Sequence, residues 1–121
     1  MDTNWNTKYI DPQNLISISK GDPQRMLKYL NQFQELIPKR IESLKASLAA
    51  EDRKMTRQIL HQMSPQLQFF GIPDVIQPIR RLEFEYQTMP IEDLKSLVND
   101  ILLKLDGAIH EVELVLKNNF E

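Results

Sequence analysis

DPQRMLKYLNQFQELIPKRIESLKASL, residues 22–48, sets Met26, Leu30, Phe33, Ile37, Ile41, Leu44 and Leu48 at intervals of three and four. That spacing lines one side of an α-helix and leaves the other side polar. Asp22 stands before Pro23, so a carboxylate can cap the backbone N–H groups while proline takes the first helical position, where no N–H is needed. The apolar stripe keeps its phase across Pro38, which predicts one kinked helix rather than two. Upstream, Asp11-Pro12 repeats the start signal. A short helix with Leu15, Ile16 and Ile18 follows, ending at Lys20-Gly21, where glycine can take a left-handed cap. Downstream, a tight reversal over Ala49 to Asp52 leads into a second stripe of Met55, Ile59, Met63, Leu67 and Phe70, closed by Gly71. A third stripe from about Pro73 to Tyr86 carries Val75, Ile79, Leu82 and Tyr86, with Pro78 bending it. The last, from about Pro90, carries Leu94, Val98, Ile101, Leu105, Ile109, Val112 and Leu116.

No period-two alternation or Asn-Gly hairpin signal competes with this reading. The expected fold is all-α: an antiparallel four-helix bundle with a short additional N-terminal helix, in one domain over residues 1–121. The 121 residues include 17 acidic and 15 basic side chains for a net charge of −2, and no cysteine. Scattered basic residues argue against nucleic acid as a partner. Disulfide and thiolate chemistry are excluded. Met1 to Tyr9 lacks the basic flank and apolar run of a signal peptide, and no run reaches membrane-spanning length, so no membrane partner and a cytoplasmic location are expected.

Around the helix of residues 55–70, at about 100° per residue, His61 falls opposite the apolar stripe. It shares that outer face with Lys54, Arg57, Gln58, Ser64, Pro65 and Gln68. A lone surface histidine is ordinarily of no consequence, but this one combines exposure with a rigid, polar, convex setting. Neutral imidazole is a nucleophile near physiological pH, and its phosphoramidate can hand a phosphoryl group onward. Gln68, two turns along, is placed to donate a hydrogen bond to phosphoryl oxygens, and Lys54 and Arg57 add positive potential. Phe69, at the edge of the face, either completes the core or joins a docking patch; docking is the expectation carried forward. Met26, Met55, Met63 and Phe70 read as core. Arg80 and Arg81 either pair with acidic neighbours or solvate the surface, and Glu83 reads as a helix-to-helix polar contact. His110 is surrounded by Asp106, Glu111 and Glu113, whose field would repel a phosphoryl donor. Asp106, His110 and Glu113 have the one-face spacing of metal ligands, but no second cluster supports such a site.

The segment Leu60-His61-Gln62-Met63-Ser64-Pro65-Gln66-Leu67-Gln68-Phe69-Phe70-Gly71, followed by Ile79-Arg80-Arg81-Leu82-Glu83, resembles the signature of histidine-containing phosphotransfer (HPt) domains of bacterial phosphorelays. Tyr9-Ile10-Asp11, Gly21-Asp22, Phe33, Pro38 and Asp52 extend the likeness over nearly the whole chain. The resemblance implies a four-helix bundle in which His61 accepts a phosphoryl group from a receiver-domain aspartate and passes it to a second receiver. It also implies a monomer without its own cofactor, any Mg²⁺ being supplied by the receiver. Two positions depart from the pattern. Ser64 stands where the family commonly has lysine, and Pro65 where it commonly has glycine. The serine removes a fixed positive charge, for which Gln68, Lys54 and Arg57 are candidates to compensate. The proline leaves the His61 carbonyl without its helical donor, at a cost of about 3 kcal/mol in a helix interior. Like glycine, it keeps side-chain bulk low where a receiver would dock.

With no glycine-rich phosphate loop or kinase-type nucleotide module, the expected activity is that of a carrier, not an enzyme turning over alone. The alternative is a receiver-docking module without transfer, for which Ser64 is the supporting residue. The dimerisation helices of a sensor kinase would carry an acidic residue directly after the histidine and a proline five positions on, where this chain has Gln62 and Gln66.

Overall fold

The computed structural model describes residues 7–120 of the chain; the part of the leader reading that falls on residues 1–6 lies outside them. Among the described residues all regular structure is helical. The elements are α1 (Pro12–Ile18), α2 (Pro23–Ala49), α3 (Arg53–Phe69), α4 (Pro73–Glu85) and α5 (Ile91–Asn119). Three of the starts are set by aspartates. Asp11 accepts the Gln13 N–H at 3.0 Å, Asp22 that of Gln24 at 3.0 Å and Asp52 that of Met55 at 3.0 Å, each satisfying a donor that a helix N-terminus leaves free. As the stripe predicted, α2 runs unbroken through Pro38, and α3 and α4 likewise run through Pro65 and Pro78.

α2 packs against α3 and α5, and α4 packs against the same two, so the four long helices share one core. At its centre Phe33 of α2 meets Phe70, ring centroids 4.5 Å apart. Burial corrects three stripes, since Tyr86, expected inside with the α4 stripe, packs only at the core margin. Met55 is 44% exposed, and Thr56 takes the inward position instead, fully buried. The reason is polar: the Thr56 hydroxyl reaches the Asp52 carbonyl at 2.8 Å and the buried Ser47 hydroxyl at 2.8 Å, fastening the first turn of α3 to the last turn of α2. In α5, Ala108 and Val115 are buried where Ile109 and Leu116 were expected to be, and the latter two pack only at the margin. The interior positions 94, 98, 101, 105, 108, 112 and 115 alternate four and three, the spacing that keeps a seam aligned with neighbouring helices over about six turns.

The short α1 is pinned to the C-terminal end of α3. Asn14 Nδ2 donates to the Gln68 and Phe69 carbonyls in the last turn of α3 at 2.6 and 2.9 Å, and the Asp11 N–H donates to Phe70 O at 2.8 Å. Gly71 closes α3 with φ +58°, and a β-carbon there would lie 2.8 Å from Asp11 Cβ. The opposite end of the α3/α4 pair is tied by Arg53, which donates to the carbonyls of Tyr86 (2.9 Å) and Met89. Proline at position 78 deprives the Asp74 carbonyl of its donor, and Lys104 of α5 stands 3.4 Å from that oxygen. No helix among the described residues is long and apolar enough to cross a membrane.

Candidate functional site

His61 is in the middle of α3, with Leu60 and Met63 beside it fully buried. These anchors fix the backbone, and the imidazole stands outward with 66% of its side chain exposed. Its Nδ1 lies 2.9 Å from Oε1 of Glu83, which reaches across from α4 and is itself only 25% exposed. An ionised carboxylate only accepts hydrogen bonds, so this contact assigns the proton to Nδ1. In the neutral ring the lone pair is then on Nε2, the nitrogen turned away from Glu83. The pair therefore orients the ring and selects which nitrogen is nucleophilic. With the ring protonated the same contact is an exposed ion pair, which adds about 0–1 kcal/mol to stability.

The surrounding residues divide into an open face and two seams. Lys54, Gln58, Pro65 and Gln68 are exposed, as the helical projection predicts. Ser64 is half-buried toward the α4 side. Arg57 departs from expectation: it is half-buried, with its guanidinium 5.7 Å from the Tyr86 ring centroid and its Nε sealed from solvent. Its charge stays one turn from His61, but the side chain is engaged with the end of α4 rather than extended toward an approaching protein. Phe69 is likewise corrected. It packs on the core margin with its ring 5.5 Å from that of Tyr29, so its main contact is with α2. Along that same seam Arg40 donates to Gln62 at 2.7 Å. Gln68 lies about 10 Å from His61 along the axis. Its side chain opens onto a shallow cleft with Asp11, Gly71, Ile76 and Gln77.

Glu83 makes the helix-to-helix polar contact expected of it, and its partner is His61. Its apolar neighbours place it beside the buried stripe of α4, but only the pairing of α3 with α4 brings it to His61. Of the two arginines before it, Arg81 pairs with Glu85 at 3.2 Å. Arg80 is exposed and, among the described residues, forms no ion pair.

The other histidine has a different setting. Glu111, next to His110, accepts the backbone N–H groups of Lys8, Tyr9 and Ile10 at 2.5, 2.9 and 3.0 Å, holding the N-terminal segment against α5. The Tyr9 ring occupies the space beside Gly107, where a β-carbon would come within 2.3 Å of it. Among the described residues no group of three or more histidine, aspartate and glutamate side chains is placed to hold a metal ion. Comparison of the chain with family models, curated proteins and solved structures finds no match.

Proposed function

We propose that the protein is a phosphorelay intermediate that carries a phosphoryl group on Nε2 of His61. The observation that carries this reading is the combination of an outward imidazole with a carboxylate on its Nδ1, which leaves a free lone pair on a rigid convex surface. In the proposed step the Nε2 lone pair attacks the phosphorus of a receiver's aspartyl phosphate. The N–P bond forms, the P–O bond breaks, and the aspartate carboxylate leaves with the electron pair. The Nδ1 proton stays in place. The ring gains a positive charge, which the Glu83 carboxylate offsets at 2.9 Å. Transfer to a second receiver is the same exchange in reverse, returning a neutral ring.

In this reading the four long helices act as an antiparallel four-helix bundle of the HPt kind, with α1 closing one end. The mutual packing of α2, α3, α4 and α5 supports it. Partners are receiver domains, any Mg²⁺ belongs to the receiver, and the protein works as a cytoplasmic monomer without a nucleotide site of its own. The open part of the α3 face, with Lys54, Gln58 and Pro65 around His61, is where a receiver would dock; Ser64 borders the phosphoryl position, and Gln68, two turns on, lies at the far edge of that face.

The test is a phosphotransfer profile against phosphorylated receivers from the same genome. Wild-type protein is expected to acquire an acid-labile, base-stable phosphate, assigned to Nε2 by NMR, and His61→Ala to acquire none. Label on another residue overturns the reading. The second reading, receiver docking without transfer, is favoured by Ser64 in place of a lysine; it predicts receiver binding at wild-type strength with no phosphate on His61.

A further inference from the structure

The geometry points to Arg80 as a phosphoryl-binding residue of this site, supplying from α4 the fixed positive charge that position 64 of α3 lacks. The inference rests on the carrier reading and goes beyond it in naming the cation. The register of the two helices is set by three contacts: Arg53 with the Tyr86 and Met89 carbonyls, Arg57 with the Tyr86 ring, and His61 with Glu83. α3 and α4 therefore run antiparallel, each step along one matched by a step back along the other. Three residues beyond His61 is Ser64, and three residues before Glu83 is Arg80. Positions three apart share a helix face, so Ser64 and Arg80 form the next rung of the same seam.

At that rung the α3 side is short and half-buried, and the α4 side is long, cationic and exposed. Three residues are about 4.5 Å of axial offset, well within the length of an arginine side chain. Lys54 of α3 is exposed but lies two turns, about 10 Å, before His61 on the side away from Ser64, and the other arginines around α3 and α4 are already engaged. Arg57 lies over Tyr86, Arg53 caps the end of α4, Arg40 holds Gln62 and Arg81 pairs with Glu85. Arg80 has no such partner among the described residues. A dianionic phosphoryl group on Nε2 would stand between Arg80 and the outer face of α3. Guanidinium suits that position because its planar donors match phosphoryl oxygens and its charge does not titrate in the working range. Glu83 and Arg80, one turn apart on α4, then have complementary roles: the carboxylate offsets the ring charge and the guanidinium offsets the phosphoryl charge.

The test needs no cognate receiver. Phosphoramidate supplies the phosphoryl group: Nε2 attacks phosphorus, the reagent's N–P bond breaks, and ammonia leaves with the electron pair. Arg80→Ala is expected to slow labelling of His61 about tenfold, the loss of one charge-assisted contact. It is also expected to raise the midpoint of the phosphohistidine ³¹P titration, because a nearby cation favours the dianion. Arg80→Lys should recover most of both effects, and Arg81→Ala should change neither. Arg80→Ala with wild-type rate and wild-type ³¹P midpoint overturns the assignment while the carrier reading stands. A defect in Arg80→Ala that Arg80→Lys does not relieve overturns the role of charge. Wild-type protein that takes no label on His61 overturns the carrier reading and this assignment together.

Discussion

His61 of α3 and His110 of α5 are both exposed histidines on amphipathic helices, and each has a glutamate close by. Glu83 turns a carboxylate oxygen to the imidazole of His61 across a helix seam. Glu111 instead gives both of its oxygens to backbone N–H groups of Lys8, Tyr9 and Ile10. The same side-chain type therefore orients an imidazole in one region and fastens a chain segment in the other. Exposure does not separate the two histidines; what separates them is whether a neighbouring element presents an acceptor to one ring nitrogen and so fixes the tautomer.

The sharpest way to break this comparison is to remove each ring. His61→Ala should abolish phosphate uptake from a receiver, and His110→Ala should leave it at the wild-type level. Acid-labile label persisting in the first variant, or lost in the second, would show that the two sites had been assigned the wrong way round. Removing each carboxylate addresses stability. Glu111→Ala should lower the unfolding free energy by about 2 kcal/mol, because three backbone donors lose a charged acceptor. Glu83→Ala should change it by less than about 0.5 kcal/mol, since an exposed pair contributes little. Urea unfolding of the two variants measures the difference, and equal losses would remove the contrast.

A smaller effect is expected at Pro65, which sits on the His61 side of the comparison. Pro65→Ala restores a donor to the His61 carbonyl and should stabilise the fold by about 1 kcal/mol or more. Pro65→Lys restores the same donor but places a long side chain on the docking face. It should slow transfer from a receiver without slowing labelling by phosphoramidate; unchanged receiver transfer would show that low bulk at this position is not what the proline provides.

The smallest effect belongs to Lys104, on the α5 side. Its ammonium is held above the usual lysine range, first by the hydrogen bond to Asp100 at 2.8 Å, with the charges of Asp100, Asp74 and Tyr9 adding and burial opposing. A raised folded value means that the contribution is complete below the unfolded lysine pKa and is lost as pH rises through the folded one. Lys104→Met should therefore be slightly less stable than wild type at neutral pH, and the gap should close in strongly alkaline solution. The partial exposure of the pair keeps the effect small. A gap constant with pH would assign the loss to packing of the lysine stem.

Much of the fold could be read along the chain because its signals are local. Asp11-Pro12, Asp22-Pro23 and the Asp52 reversal mark helix starts through contacts of two or three residues, and Gly71 marks an end through its own φ. Errors arose where a neighbouring helix chose between adjacent residues. Thr56 displaced Met55 from the interior because Ser47 of α2 offered its hydroxyl a partner. Phe69 was drawn from the docking face by Tyr29, and Arg57 by Tyr86, both contacts with other helices.

The amino-acid order by itself determined five helices, their approximate limits and the outward placement of His61, because helical periodicity is a property of consecutive residues. Only tertiary structure decided which nitrogen of His61 is free, since that depends on a carboxylate 22 positions away on another helix. The same holds for Arg80. Its side chain is one of two adjacent arginines in the sequence, and the two become distinct only in the folded chain, where Glu85 engages Arg81 and Arg80 stays exposed.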